Sequence, residues 1–149
     1  MKFSRRVHYG LVFLLQLHYV WPGHKAVKEL ADSGGLPRKF LESIASDFRK
    51  GGFVEVRRGS QGGYRLARSL KEITLLDVLR CLDPEWERQT TETGPEKPAK
   101  QQTVQRFLGE TSQSVDRVFD EITLDALPAL KETPPGRARR ASARKFFSV

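Results

Sequence analysis

Three arginines and a tyrosine crowd around three glycines in Val56-Arg57-Arg58-Gly59-Ser60-Gln61-Gly62-Gly63-Tyr64-Arg65-Leu66. Glycine enters positive φ without steric penalty, so Gly59, Gly62 and Gly63 fit a sharp turn between two strands. Arg57, Arg58, Arg65 and Tyr64 would then stand on the arms of that turn. An end with so few apolar residues has little to bury and projects from its domain. Fixed cations on a projecting element suit a polyanion better than a small substrate. The plainer alternative is a solvated hairpin with ordinary surface arginines.

Other reactive residues are sparse. No Ser/His/Asp order, phosphate-binding loop or pair of acids in a pocket pattern is present, and His8, His18 and His24 are scattered, so an enzyme is not expected. The single cysteine, Cys81, rules out an intrachain disulfide framework and fits a reducing compartment. It is a candidate redox thiol, since thiolates are oxidised to sulfenic acid or capped. Asp77 lies one turn before it and opposes thiolate formation, which favours an inert structural thiol.

The elements that would position the arginine hairpin are legible by periodicity. Residues 4–20 read as a helix capped by Ser4, with Val7, Leu11, Leu14, Leu15 and His18 at helical spacing, ended by Trp21-Pro22-Gly23. A short helix over 26–32 is closed by Ser33-Gly34-Gly35. Pro37 opens a third over 37–50, with a core stripe of Phe40, Leu41, Ile44 and Phe48. Its opposite face shows Arg38, Lys39, Glu42, Ser43 and Arg49. Two helices joined by a short glycine-bearing turn make a helix-turn-helix, whose second helix can enter the major groove. The hairpin at 53–66 follows directly, Val54 and Val56 facing Tyr64 and Leu66. The fold class expected is mainly α with a small β-hairpin: a winged helix-turn-helix over 1–83, followed by a long helix.

Thr74-Leu75-Leu76-Asp77 is a capping box opening a helix over 74–83. Residues 84–101 lack periodicity, contain three prolines and read as a loop or linker. A dimerisation helix is expected over 102–127: Val104, Leu108, Thr111, Val115, Val118 and Ile122 alternate by three and four over 102–122, and Phe107 and Phe119 broaden the stripe. Thr123 to Leu127 could add a turn before Pro128. The stripe either meets a partner helix in a homodimer or covers its own domain. Dimerisation is favoured because operator symmetry mirrors protein symmetry and two half-sites raise affinity. Residues 128–149 form a basic tail, expected to be disordered, that either touches phosphates or only solubilises.

Charge follows the same division. Residues 1–68 carry thirteen Lys/Arg against five Asp/Glu, residues 69–130 seven against twelve, and residues 131–149 six against one, within a net charge of +8. The basic head is therefore the expected nucleic-acid surface. The basic residues before Leu11-Val12-Phe13-Leu14-Leu15 raise a signal peptide. That apolar run is short and has no small-residue cleavage site, so a core helix and a cytoplasmic protein without membrane contact are expected.

These residues together resemble the Rrf-two (Rrf2) family of bacterial winged-helix regulators. Met1-Lys2-Phe3-Ser4 with Tyr9 is similar to its amino terminus, and Pro37-Arg38-Lys39-Phe40-Leu41-Glu42 to its recognition-helix entry. Arg58 to Ala67 resembles its wing, and Glu72-Ile73-Thr74-Leu75-Leu76-Asp77-Val78 the helix beyond. The resemblance implies a homodimer with a long crossed helix and two winged helices on a palindromic double-stranded operator. It also implies base readout by Lys39, Glu42 and Arg58. Arg58 can span guanine O6 and N7 or enter a narrow minor groove, and Glu42 can accept from cytosine N4. Lys2, Ser4, Arg5, Arg38, Arg49, Tyr64 and Arg65 are expected on phosphates, which position without specifying.

Members that bind an iron–sulfur cluster carry three cysteines in the segment corresponding to 84–103, where this chain has none. His8 stands where some members place a further ligand, but a histidine between Val7 and Tyr9 reads as a surface or packing residue. No cluster, metal or other cofactor is expected. The signal is left open between Cys81, a small molecule and a protein effector seated near Trp86. The leading reading is a sequence-specific dimeric regulator, more readily a repressor because blocking polymerase needs no activation surface. The alternatives are an architectural nucleic-acid-binding protein without sequence readout and a protein-binding adaptor.

Overall fold

The computed structural model describes residues 2–88 and 98–130. Helix α1 (Arg5–His18) starts where the Ser4 hydroxyl accepts the Val7 N–H at 3.3 Å. Helix α2 (Val27–Gly34) is held at its start by Glu29, whose carboxylate accepts the Ala26 N–H at 3.2 Å. Its end turns through Gly35, whose φ of 59° is the left-handed cap that glycine adopts freely. Helix α3 (Arg38–Lys50) follows within three residues, completing the helix-turn-helix. Strands β1 (Val54–Arg57) and β2 (Gly63–Leu66) pair antiparallel, Val54 opposite Leu66 and Val56 opposite Tyr64. A single turn of 3-10 helix at Leu70–Glu72 leads to α4 (Leu75–Leu82). Short α5 (Pro84–Arg88), long α6 (Ala99–Asp120) and short α7 (Ala126–Ala129) complete the order.

The core lies where α1 is packed by α2, α3, α4 and the hairpin. Phe13, Leu14, Leu17, Leu30, Leu41, Ile44, Phe48, Leu66, Leu79 and Leu82 are fully enclosed there. Gly10 lets α1 press closest: a Cβ on it would fall 2.3 Å from Leu82 Cδ1. The expected capping box forms as read, Thr74 Oγ1 accepting from Asp77 N at 3.1 Å and the Asp77 carboxylate accepting from Thr74 N at 3.0 Å.

Several expectations change. Phe40 does not join the core stripe; it is 37% exposed and leans its edge on Tyr9, ring centroids 5.3 Å apart. Ala45 takes the buried place instead, because Phe40 sits at the margin of the buried arc. Val56 is 40% exposed, since the hairpin has outrun the core by that point. The expected loop at 84–101 begins with α5, and the long helix starts at Ala99 rather than 102; residues 89–97 lie outside the described residues, as does the expected tail from 131.

The long helix also divides. Phe119 is buried, and Val115 and Ile122 pack on the core beside α4 and Trp86. The Leu75 N–H donates to Ile122 O at 2.8 Å and the Leu124 N–H to Ile73 O at 2.9 Å, stitching this end to the head. The other half keeps its apolar side chains in solvent: Val104 is 57%, Phe107 67% and Leu108 57% exposed. Thus the stripe covers its own domain at one end, where Val115, Phe119 and Ile122 pack, and leaves Val104, Phe107 and Leu108 uncovered within the single chain at the other. No helix among the described residues is long and apolar enough to cross a membrane.

Candidate nucleic-acid interface

The exposed face of α3 is built by its buried one. With Leu41, Ile44, Ala45 and Phe48 turned inward, Lys39, Ser43, Ser46 and Lys50 recur every three or four residues along the outward side. Arg38, Glu42 and Arg49 flank that row. Lys39, Glu42, Arg38 and Arg49 form no ion pair or side-chain hydrogen bond among the described residues, so their polar atoms are open to a ligand. Ser46 and Lys50 escaped sequence reading; their spacing from Lys39 was the available signal.

Helix α1 delivers its first turn to the same face. Tyr9 touches Phe40, and Arg6 bridges to α3, its Nη1 donating to Ser43 Oγ at 2.9 Å and its Nη2 to the Asp47 carboxylate. Arg5, next to Arg6 on α1, and Lys2, ahead of that helix, are exposed with their charges unpaired among the described residues. The Ser4 oxygen is engaged by the cap, leaving its hydrogen available to a phosphate.

The wing is placed by backbone rather than by apolar burial. Lys25, ahead of α2, exchanges two main-chain hydrogen bonds with Tyr64, at 2.8 and 3.0 Å, adding a third strand-like segment to the hairpin. Lys25 Nζ then donates to Gln16 Oε1 at 2.9 Å and Ser33 Oγ at 2.8 Å, tying that segment to α1 and α2. Gly63 permits the approach: its φ is 152°, and a Cβ there would lie 2.3 Å from the Lys25 carbonyl oxygen. The turn closes through Gly62 N–H to Gly59 O at 3.0 Å.

Its cations are not equivalent. Arg65 donates from both Nε and Nη2 to Glu55 Oε2, at 2.8 and 2.6 Å, across the strands. Tyr64 is half-buried with its ring against Phe13, centroids 5.7 Å apart. Arg57 and Arg58 are exposed and have no such partner among the described residues. Of the three arginines noted in the sequence, the two nearest the turn are left unpaired.

The family model described as an iron-dependent transcriptional regulator, Rrf2, matches residues 3–129. The chain belongs to the Rrf2 family. This Rrf2 protein is 32% identical over 129 residues to the HTH-type transcriptional regulator CymR of Bacillus subtilis, covering 85% of the chain and 89% of CymR. It is 39% identical over 85 residues to the putative HTH-type regulator Rv1287 of Mycobacterium tuberculosis, 56% of the chain. That match spans about half, 52%, of the relative's length. The solved structure of B. subtilis CymR, a global cysteine regulator, is similar with a TM-score of 0.65 at 28% identity, covering 89% of this chain and 99% of that one. The T. potens IscR structure is similar with a TM-score of 0.64 at 29% identity, covering 89% and 93%. CymR is named an HTH-type transcriptional regulator, and the likeness to both structures is in keeping with the mainly α winged-helix fold.

The donor set of this Rrf2 protein does not fit a thiolate-ligated iron cluster. Its one cysteine sits on α4, half-buried, its thiol donating to the Asp47 carbonyl oxygen at 3.5 Å. Burial, and secondly the Asp47 carboxylate, push that thiol up from 9.0 to about 11, against a smaller lowering by Arg6. Asp47, not Asp77, is therefore the opposing charge; Asp77 is spent on its helix cap. At pH 8 about one thiol in a thousand is ionised, against about one in ten for an unshifted thiol. Cys81 in the folded protein is expected to react with iodoacetamide about 100-fold more slowly than after denaturation, measured by mass shift over time. Folding favours the protonated thiol, so this contribution to stability holds below pH 9 and is lost as pH rises towards 11. Trp86, expected near an effector, donates its Nε1–H to Asp116 at 2.9 Å and packs on Phe119, closing α5 onto α6.

Proposed function

We propose that this Rrf2 chain is a dimeric, sequence-specific DNA-binding transcriptional repressor of the cytoplasm that works without an iron–sulfur cluster. One observation carries the reading: an α3 face whose Arg38, Lys39, Glu42 and Arg49 are unpaired stands beside a wing whose Arg57 and Arg58 are exposed and unpaired, among the described residues. Lys39 and Glu42 supply a donor and an acceptor to base edges in the major groove, and Arg58 reads from the wing. Lys2, Ser4, Arg5, Arg38 and Arg49 anchor phosphates on either side of α3, with Tyr64 and Arg65 as weaker contributors because both are engaged within the protein. Two such heads, joined through the exposed half of α6, match a palindromic operator. A small molecule or a protein effector would set the occupancy.

Affinity measured against salt for selected and scrambled duplexes tests this reading. A selected duplex bound at least about 10³-fold more tightly at physiological salt supports sequence-specific regulation. Equal affinities with one steep salt slope point instead to an architectural protein.

A further inference from the structure

We propose that Arg6 biases Ser43 towards hydrogen-bond donation, and that Ser43 thereby favours a base edge presenting an acceptor. The inference rests on α3 entering the major groove. Arg6 spans two residues one turn apart on that helix, Ser43 and Asp47, with its Nη1 donating to Ser43 Oγ at 2.9 Å. Guanidinium nitrogens carry hydrogens and no acceptor, so the serine oxygen can only accept from them. The Asp47 carboxylate fixes the guanidinium from the other side, and Asp47 itself is braced where its carbonyl accepts the Cys81 thiol.

The fate of the serine hydrogen decides what Ser43 offers. Hydroxyls within helices commonly spend it on the carbonyl one turn back. Ser33 does so to Glu29 O at 2.6 Å, Ser114 to Glu110 O at 3.0 Å and Thr111 to Phe107 O at 2.9 Å. Ser43 does not; among the described residues no acceptor takes its hydrogen. That hydrogen is left on the outward row between Lys39 and Ser46. An unconstrained serine reads donors and acceptors alike, which makes it a poor discriminator. Here a cation occupies one lone pair and polarises the O–H bond, so donation is favoured. Guanine O6 and N7, adenine N7 and thymine O4 can receive it; the cytosine N4 amine cannot. Ser43 therefore disfavours cytosine at the base it faces, whereas Glu42, an acceptor, favours it one position along the helix.

The test is selection of binding sites from a randomised duplex library with the full-length protein and with Ser43→Ala, Arg6→Met and Asp47→Asn, followed by affinities for every single-base change in the enriched site. Wild type should disfavour cytosine at one position of each half-site by about three- to tenfold, the worth of one hydrogen bond. Ser43→Ala and Arg6→Met should each flatten that position while leaving the discrimination due to Lys39, Glu42 and Arg58 in place. Asp47→Asn, which keeps the helix but loosens the guanidinium, should flatten it in part and covers the case in which Arg6→Met fails to fold. An enriched site indifferent to Ser43→Ala overturns the inference alone. Flattening by Ser43→Ala with both clamp variants unchanged overturns the role of Arg6. A wild-type selection that enriches no sequence overturns the sequence-specific reading and this inference together.

Discussion

Leu108→Glu is expected to yield a folded monomer that binds operator DNA about 10²- to 10⁴-fold more weakly than wild type, the avidity that two linked heads supply. Leu108 shares the outward side of α6 with Val104, Phe107 and Thr111, and these side chains lie in solvent in the single chain. A patch of that kind on a helix otherwise anchored to its domain marks a surface awaiting a partner. In the dimer a glutamate there would be desolvated without a counter-ion, which apolar helix packing does not tolerate. In the monomer it costs little, because Leu108 touches none of the core that holds the head together. Thermal unfolding should therefore separate loss of assembly from loss of fold. Sedimentation gives the mass and fluorescence anisotropy the affinity. A variant that remains dimeric at micromolar concentration would remove this face from the interface. The buried end of the stripe responds differently: Phe119 is a core residue, so its truncation should unfold rather than dissociate.

Arg58→Ala is expected to weaken operator binding by about five- to 150-fold, corresponding to about 1–3 kcal/mol, and to relax preference at the base it reads. The size follows from what Arg58 lacks. With no carboxylate paired to it among the described residues, the guanidinium meets DNA with its full charge and all five donors. Arg65→Ala should cost much less, since Glu55 already takes two of its N–H groups and offsets its charge. Arg58→Lys should recover the electrostatic part and not the discrimination, because a point charge cannot make the forked contact. Anisotropy titrations on matched and single-mismatch duplexes give both quantities. Equal losses for Arg58→Ala and Arg65→Ala would mean that the ion pair opens on binding and the two act alike.

The legible parts of this protein are those written in short stretches of chain. Ser4, the Thr74–Asp77 box, Gly35 and the glycines of the wing act on backbone within a few residues, so their positions alone predict caps, turn and hairpin register. The order helix, helix-turn-helix, hairpin follows from the same local punctuation, and with it the winged-helix fold and the basic face of α3. Phe40 misled because an apolar residue at the edge of a helical stripe is assigned inward by spacing. Whether it is covered depends on α1, some thirty residues earlier, which supplies Tyr9 and leaves part of the ring open.

Sequence by itself determined which residues are cationic, where the chain turns and which helix face is polar. These depend on side-chain type and on backbone sterics near each residue. Tertiary structure decided which charges are free and which faces are used. Glu55 neutralises Arg65 only because strand pairing sets them opposite, and Arg6 reaches Ser43 and Asp47 only because α1 crosses α3. The even heptad of α6 is split for the same reason. Trp86 and the Ile73–Leu75 backbone claim its end near Phe119, and nothing among the described residues claims the end near Phe107. Charge and apolarity are properties of a residue, whereas pairing and coverage belong to neighbours that only folding brings close.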